Sequence, residues 1–402
     1  MRGKILLTCV VAAATYFGGS ALVHRVRGTS SSSSIQLRVV TDLPAWKPCA
    51  GWPSPRPARA LAADGRLSLP FFAPFTDEQS AKLFVRTRGE VFDELCGDRW
   101  APSLDAEIPF AEYPGGAFVL RTNSLGMRRD TDPCSARPTL RVLVAGDSHT
   151  DGVCANAESF PTLIEDHLRE RGKAKPGDDA RKPPVIEVLN TGKGSYSFYN
   201  YLGVLERFAD LHPDVFLMTV YGGNDFEEAL SVWHFYFNGG RRPPGMASWA
   251  HELKAADEIR MGAMAQGLIS TWYFARYPEQ MEIATRATNE VLDLAQALCR
   301  ERGIRLIVAY LPSWMEVAPD DPELELDALL DIASLTRDDL RRTTQLADAM
   351  FAHLTELQVE SVDLRAAFTA SSERLYWKLD CHLALAGHRV VARELAAVIE
   401  GR

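Results

Sequence analysis

The sequence predicts an α/β fold in three layers, with a parallel sheet covered by helices on both faces. From about residue 138 onward, apolar runs of strand length recur, each closed by a glycine or a turn residue. Segments with helical spacing alternate with them. The runs are continuously apolar rather than alternating, which is the pattern of parallel strands buried on both sides. Taken in order, 140–145 (LRVLVA) reads as a first strand ending at Gly146, and 160–171 as a helix stopping at Gly172. A second strand is expected at 185–189, a helix at 199–210 and a third strand at 215–220. A long helix over about 279–302 ends at Gly303 and leads into a strand at 305–310. A helix at about 337–357 precedes a strand at 359–363, and a last helix covers about 386–400. Residues 226–278 break the rhythm and read as an insertion. In such sheets ligands bind beyond the carboxyl ends of the strands, so the chemistry is expected there.

The chain has 402 residues, 46% hydrophobic and 24% charged, the balance of an ordinary globular protein. Lys and Arg total 44 against 53 Asp and Glu, a formal net charge of −9. A mildly acidic chain lacks the cationic surface that general nucleic-acid binding needs, so no nucleic-acid partner is expected.

The N-terminus points outside the cytoplasm. Arg2 and Lys4 precede an apolar stretch over residues 5–23 that carries no charge, and His24, Arg25 and Arg27 follow. That length is close to a membrane span and exceeds a usual signal-peptide core. Residues 1–24 are therefore read as a signal-anchor or a signal peptide, with membrane contact through that helix. Residues 25–59 are read as a linker, with a Ser-rich tract near 29–34 and then Pro44, Pro48, Pro53, Pro55 and Pro57. Residues 60–137 have little helical period and are taken as an N-terminal extension packing on a catalytic domain at 138–402. Phe71, Phe72, Phe75, Phe92, Trp100, Phe110 and Phe118 could give it a small core. Cys49, Cys96, Cys134, Cys154, Cys299 and Cys381 allow disulfides in an oxidising compartment, but the sequence does not choose a pairing.

Four strand ends carry reactive residue types. The first reads Gly146-Asp147-Ser148-His149-Thr150-Asp151-Gly152 and the second Asn190-Thr191-Gly192-Lys193-Gly194-Ser195. The third reads Gly222-Gly223-Asn224-Asp225, and the last loop Asp380-Cys381-His382 followed by Leu385-Ala386-Gly387-His388. Each by itself is ordinary turn chemistry. Together they would bring a Ser, an Asp-x-His pair and an Asn to one rim. Those types suit acyl transfer: Ser as nucleophile, His as base, Asp to fix the His tautomer, Asn and backbone N–H groups for the oxyanion.

In this order the blocks resemble the SGNH (GDSL-type) hydrolases, over about residues 120–400. Asn123-Ser124-Leu125-Gly126-Met127-Arg128 resembles the Asn-x-x-Gly-x-Arg stretch ahead of the first block in bacterial members, and Leu311-Pro312-Ser313 is also similar to them. The resemblance implies a flavodoxin-like parallel sheet. It implies Ser148 as nucleophile, His382 as general base and Asp380 as its partner. Asn224, the Ser148 N–H and an N–H at Gly194 or Ser195 would form the oxyanion hole. It implies no metal and no organic cofactor. Two departures stand out. The family's second-block glycine usually follows the block's Asn by five residues, and here that place holds Ser195. The last block is Asp-x-His rather than Asp-x-x-His, and His388 is a rival base.

The expected function is that of an extracytoplasmic serine esterase acting on a small acyl ester or an acylated glycan. An O-acetyltransferase acting on a cell-envelope or extracellular polysaccharide is the alternative, and a catalytically idle glycan-binding protein a further one. Metal-ligand pairs at Asp147/His149 and Asp380/His382 are disfavoured, since a binuclear phosphoesterase would carry Gly-Asn-His where this chain has Gly-Asn-Asp. Thr150 breaks the Gly-x-Ser-x-Gly elbow of α/β-hydrolases, and Glu187 breaks a phosphate loop. Cys154 and Cys381 could staple the loops of Ser148 and His382, or remain free buried thiols or pair with Cys134. Trp233, Phe235, Tyr236 and Phe237 could form a lid, or pack the insertion onto the body.

Overall fold

A computed structural model describes residues 37–38, 75–84, 86–87, 89–172, 184–237 and 258–401. Residues 1–24 lie outside it, and with them the expected signal segment; of the expected linker at 25–59 only residues 37–38 are described, and they form a strand. Among the described residues no helix is long and apolar enough to cross a membrane.

The N-terminal part is built from short antiparallel pairs. Helix α1 (Asp77–Leu83) starts with a capping box, in which Thr76 and Gln79 satisfy each other's backbone N–H. Strands β2 (Glu90–Asp93) and β3 (Gly97–Trp100) form a hairpin. Strand β1 (Leu37–Arg38) pairs with β4 (Asp105–Pro109), which pairs with β5 (Ala117–Arg121). This sheet has a small core of its own, made of Leu104, Ala106, Phe110, Phe118 and Leu120. Phe110 and Phe118 thus meet the expectation of a local core, whereas Phe75 is buried in the main core. Phe71 and Phe72 lie outside the described residues.

The body follows the expected rhythm closely. Strand β6 (Leu140–Ala145) leads through the single-turn helix α2 (Ser148–Asp151) to α3 (Phe160–Arg171). Strand β7 (Ile186–Asn190), α4 (Phe198–Phe208) and β8 (Val215–Tyr221) follow. Between β8 and the next strand lie α5 (Asp225–Phe237), α6 (Glu258–Gly267), α7 (Ile269–Arg276) and α8 (Gln280–Arg302). Helix α8 stops at Gly303, which takes the left-handed conformation (φ +67°) usual for a glycine just past a helix end. Then come β9 (Arg305–Leu311), α9 (Trp314–Val317), α10 (Leu326–Ala333), α11 (Arg341–Glu356), β10 (Glu360–Asp363), α12 (Arg365–Thr369) and α13 (Leu385–Ile399). The short helices α9, α10 and α12 are additions that sequence periodicity did not reveal.

The main sheet is parallel throughout, in the order β10-β9-β8-β6-β7. Numbered within the sheet this is 2-1-3-4-5 read from the β7 edge, the flavodoxin-like order, with its switch point between β6 and β8. Every residue of β7 and β8 is buried, which explains their largely apolar sequences; the one charged residue, Glu187 of β7, is paired with Arg141 of β6 at 2.8 Å. Helices α3 and α13 pack together, while α8 packs against α4, α5 and α11, so helices flank the sheet in two groups. The loops after β6 and β8, which carry Ser148 and Asn224, open at the switch point.

Candidate active site

Ser148 is the first residue of α2, directly after β6. Asp147 caps that turn, its carboxylate accepting the His149 N–H at 2.9 Å. A residue at this helical position has no intrahelical partner for its own N–H. Gly146 permits the close turn, since a Cβ there would lie 1.9 Å from Thr150 Oγ1 and 2.1 Å from Thr219 Oγ1.

The last loop comes over this turn. His382 Nε2 lies 2.7 Å from Ser148 Oγ, and His382 Nδ1 is hydrogen-bonded to Asp380 Oδ1. The one-residue spacer is accommodated because Cys381 takes a left-handed conformation (φ +63°), which folds Asp380 back so that its Oδ1 meets both the backbone N–H and the ring of His382. Ser148 and His382 are both buried. His388, the rival base, is turned elsewhere: its Nδ1 accepts the Phe160 N–H at 3.2 Å, at the start of α3. Burial lowers its pKa to about 3, so it stays neutral.

The second block is stitched to the turn of Ser148 by its own backbone and by Asn190. Asn190 Nδ2 donates to the Thr150 carbonyl and its Oδ1 accepts from Gly192. The Lys193 N–H reaches the Gly146 carbonyl. Ser195 is the residue with positive φ (+64°), the conformation that favours glycine, whereas Gly194 is not. Asn224, at the end of β8, is buried, with a weak contact from Nδ2 to Glu228 Oε1 at 3.4 Å and an Oδ1 that has no hydrogen-bond partner.

Several neighbours escaped the sequence reading. His149 stacks on Tyr221 with ring centroids 3.7 Å apart and sits 4.7 Å from His382. Its Nε2 pairs with Gln266 Oε1 of α6 at 3.1 Å, and burial holds its pKa well below the usual imidazole range. Below the site are three buried carboxyls. Burial raises Asp147 to about 7 and Glu228 to about 8, and drives Asp225 well above the ordinary carboxylate range with Asp147 and Glu228 adding to the rise. Among the described residues, no group of three or more His, Cys, Asp or Glu is arranged to hold a metal ion.

Arg128, from the Asn-x-x-Gly-x-Arg stretch, is buried and donates to the carbonyls of Asp151, Gly152 and Cys154, and to Asn156 Oδ1 at 3.1 Å. Gly126 in the same stretch is required by space, since a Cβ would meet the Trp100 carbonyl at 2.3 Å. The buried Lys193 ammonium lies between Glu90 (3.3 Å) and Asp98 (3.2 Å) of the β2–β3 hairpin. Cys154 and Cys381 are free, buried thiols, as is Cys96, so no staple joins the two loops. Trp233 is buried and Phe235 packs against the main core; the side chains of Tyr236 and Phe237 lie outside the described residues.

No curated protein matches the chain in sequence. Among solved structures, it is similar to the acetyl xylan esterase AlAXEase, at 15% identity over 65% of this chain and 100% of that one, with a TM-score of 0.37. Axe2, an acetylxylan esterase from Geobacillus stearothermophilus, aligns at 16% identity over 65% of this chain and 95% of its own, also with a TM-score of 0.37. A putative lipolytic protein of the G-D-S-L family from Desulfitobacterium hafniense aligns at 12% identity over 64% and 98%, with a TM-score of 0.35. The sequence model of the family described as "SGNH hydrolase-like domain, acetyltransferase AlgX" matches residues 265–402. That stretch supplies β9, β10, the loop of Asp380 and His382, and α13, and over it the chain is similar to an SGNH hydrolase-like domain.

Proposed function

We propose that the protein is a serine acyl-transferring enzyme, an esterase whose nucleophile is Ser148. One observation carries the reading: the line from the buried Ser148 Oγ through the buried His382 to Asp380. With Asp380 accepting a hydrogen bond from the Nδ1–H group, which stays on the ring, His382 presents an unprotonated Nε2 to the serine hydroxyl. The Ser148 proton passes to Nε2 as Oγ bonds to the ester carbonyl carbon. The oxyanion is received by the Ser148 N–H, by Asn224 Nδ2 and by an N–H at Gly194 or Ser195. The C–O bond to the alcohol then breaks, with the proton on Nε2 going to the leaving oxygen. Water attacks the acyl-serine, gives its proton to Nε2, and the acid leaves as Oγ regains a proton.

The acyl group is read as small, acetyl above all, on a simple ester or a glycan. A second reading replaces water with a sugar hydroxyl, which makes the protein an O-acetyltransferase. It is favoured by the description of the matching family, which includes an acetyltransferase. Catalysis in either form is assigned to the outside of the cytoplasm, with residues 1–24 as anchor or signal.

The test is covalent labelling of the purified protein by an acetyl-sized serine-reactive probe. Wild type is expected to label, and Ser148→Ala and His382→Ala to lower turnover of p-nitrophenyl acetate by about 10⁴–10⁶-fold. Acceleration by an added oligosaccharide, with acetyl recovered on the sugar, would select the transferase. Absence of labelling in wild type would overturn both enzyme readings.

A further inference from the structure

We propose that Glu112 is a positioning residue for the loop of Asp380 and His382, which makes the N-terminal segment part of the catalytic unit; this rests on the serine chemistry proposed above. Glu112 lies in the turn between β4 and β5. Its Oε1 accepts the Lys378 N–H at 2.7 Å, and its Oε2 accepts the N–H groups of Leu379 and Asp380, each at 3.0 Å. Three successive backbone donors converge on one carboxylate, the arrangement of an anion nest. Hydrogen bonds to an ionised acceptor are the stronger kind. The third donor belongs to Asp380 itself, so the clamp acts one residue from the carboxylate that orients His382.

The loop needs such a clamp. Cys381 sits in left-handed backbone, a conformation that persists in a side-chain-bearing residue only where the surroundings hold it. The loop closes on itself through the Cys381 N–H to the Trp377 carbonyl (3.0 Å) and the Trp377 N–H to the His382 carbonyl (2.8 Å). Those bonds fix its shape but not its height above Ser148. Height is set from outside. Glu112 holds one side, and Trp377 rests edge-on against Phe110 with centroids 5.5 Å apart. On another side Gly262 of α6 lets the helix backbone approach, since a Cβ there would lie 2.3 Å from the Leu379 carbonyl. The small core of the N-terminal sheet is itself completed by Val153 from beyond the nucleophile turn and by Trp377 from the acid–base loop. One small sheet therefore touches both loops whose separation sets the Ser148–His382 contact.

The experiment combines hydrogen exchange of the full-length protein with steady-state kinetics on p-nitrophenyl acetate, for wild type, Glu112→Ala and Glu112→Gln. Glu112→Ala should speed exchange over residues 375–384 while β6–β9 keep their protection. Its kcat should fall about 10–100-fold with KM within about twofold, the cost of a misplacement of roughly 1 Å. Glu112→Gln keeps one acceptor oxygen at nearly the same size and should fall between wild type and Glu112→Ala in both readouts; it carries the test if Glu112→Ala does not fold. Unchanged exchange over 375–384 in both variants overturns the proposal. So does protection lost equally throughout the protein, or an unchanged kcat in an active enzyme. If wild type neither labels nor turns over, the serine reading fails instead, while the exchange data still decide whether Glu112 holds the loop.

Discussion

The two loops that meet at Ser148 and His382 are held in opposite ways. The nucleophile turn is gripped from inside by a cation: Arg128, with no exposed side-chain surface, donates to three carbonyls and pairs with Asp151 at 3.2 Å. The acid–base loop is gripped from its flank by an anion: Glu112, half-buried, accepts from three N–H groups. A buried guanidinium that loses its site leaves several buried acceptors without donors, whereas N–H groups near the surface can turn to water. The first grip is thus chiefly a matter of fold stability and the second a matter of placement.

The largest expected effect sharpens that contrast. Arg128→Ala should destabilise the protein by about 3–5 kcal/mol, because the buried Asp151 carboxylate loses its ion-pair partner and three buried carbonyls lose their donor. Chemical denaturation checks this; a loss as small as that of Glu112→Ala would break the comparison. An intermediate effect concerns the carboxyls under the nucleophile turn. Asp147 has a pKa raised from 3.8 to about 7 in the folded protein. Between those values the folded state holds a proton that the unfolded state has lost, so stability falls as pH rises across that window and levels off above it. Asp147→Asn cannot release that proton. Its melting temperature should therefore drop less than wild type's between pH 5 and pH 8; an equal drop would show that Asp147 does not contribute. The smallest effect is expected at His388, which abuts Gly152 from α13 and caps α3. His388→Leu should cost about 1–3 kcal/mol, because the buried Phe160 N–H loses its acceptor, and leave Ser148 labelling at the wild-type rate. Labelling lost in that variant would return His388 to candidacy as the base.

Much of the body is legible in the amino-acid sequence. Strands β6–β9 are buried along nearly their whole length, and burial on both faces leaves predominantly apolar runs, broken chiefly by the mutually paired Arg141 and Glu187, that need no partner to be read. The end of α8 was legible because Gly303 is a local signal. Ser148, Asn224, Asp380 and His382 could be singled out because each follows a strand or closes the last loop, where such a sheet collects its ligands. The N-terminal segment was not legible in the same way. Its strands are short, and its antiparallel pairs give only faint alternation.

The residues themselves determined the parallel sheet, the rhythm of its helices and the residue types at its rim, since each of these is written in local periodicity or in a short motif. Tertiary structure decided what surrounds them. It turned His388 into a helix cap, gave Cys381 the conformation that lets an Asp-x-His spacing close, and left Cys154 and Cys381 as separate thiols. It brought Glu112 to Lys378 across 266 positions of sequence. No period or motif encodes a contact of that range, because a backbone N–H is the same in every residue but proline, and which carboxylate it meets depends only on how the chain has folded.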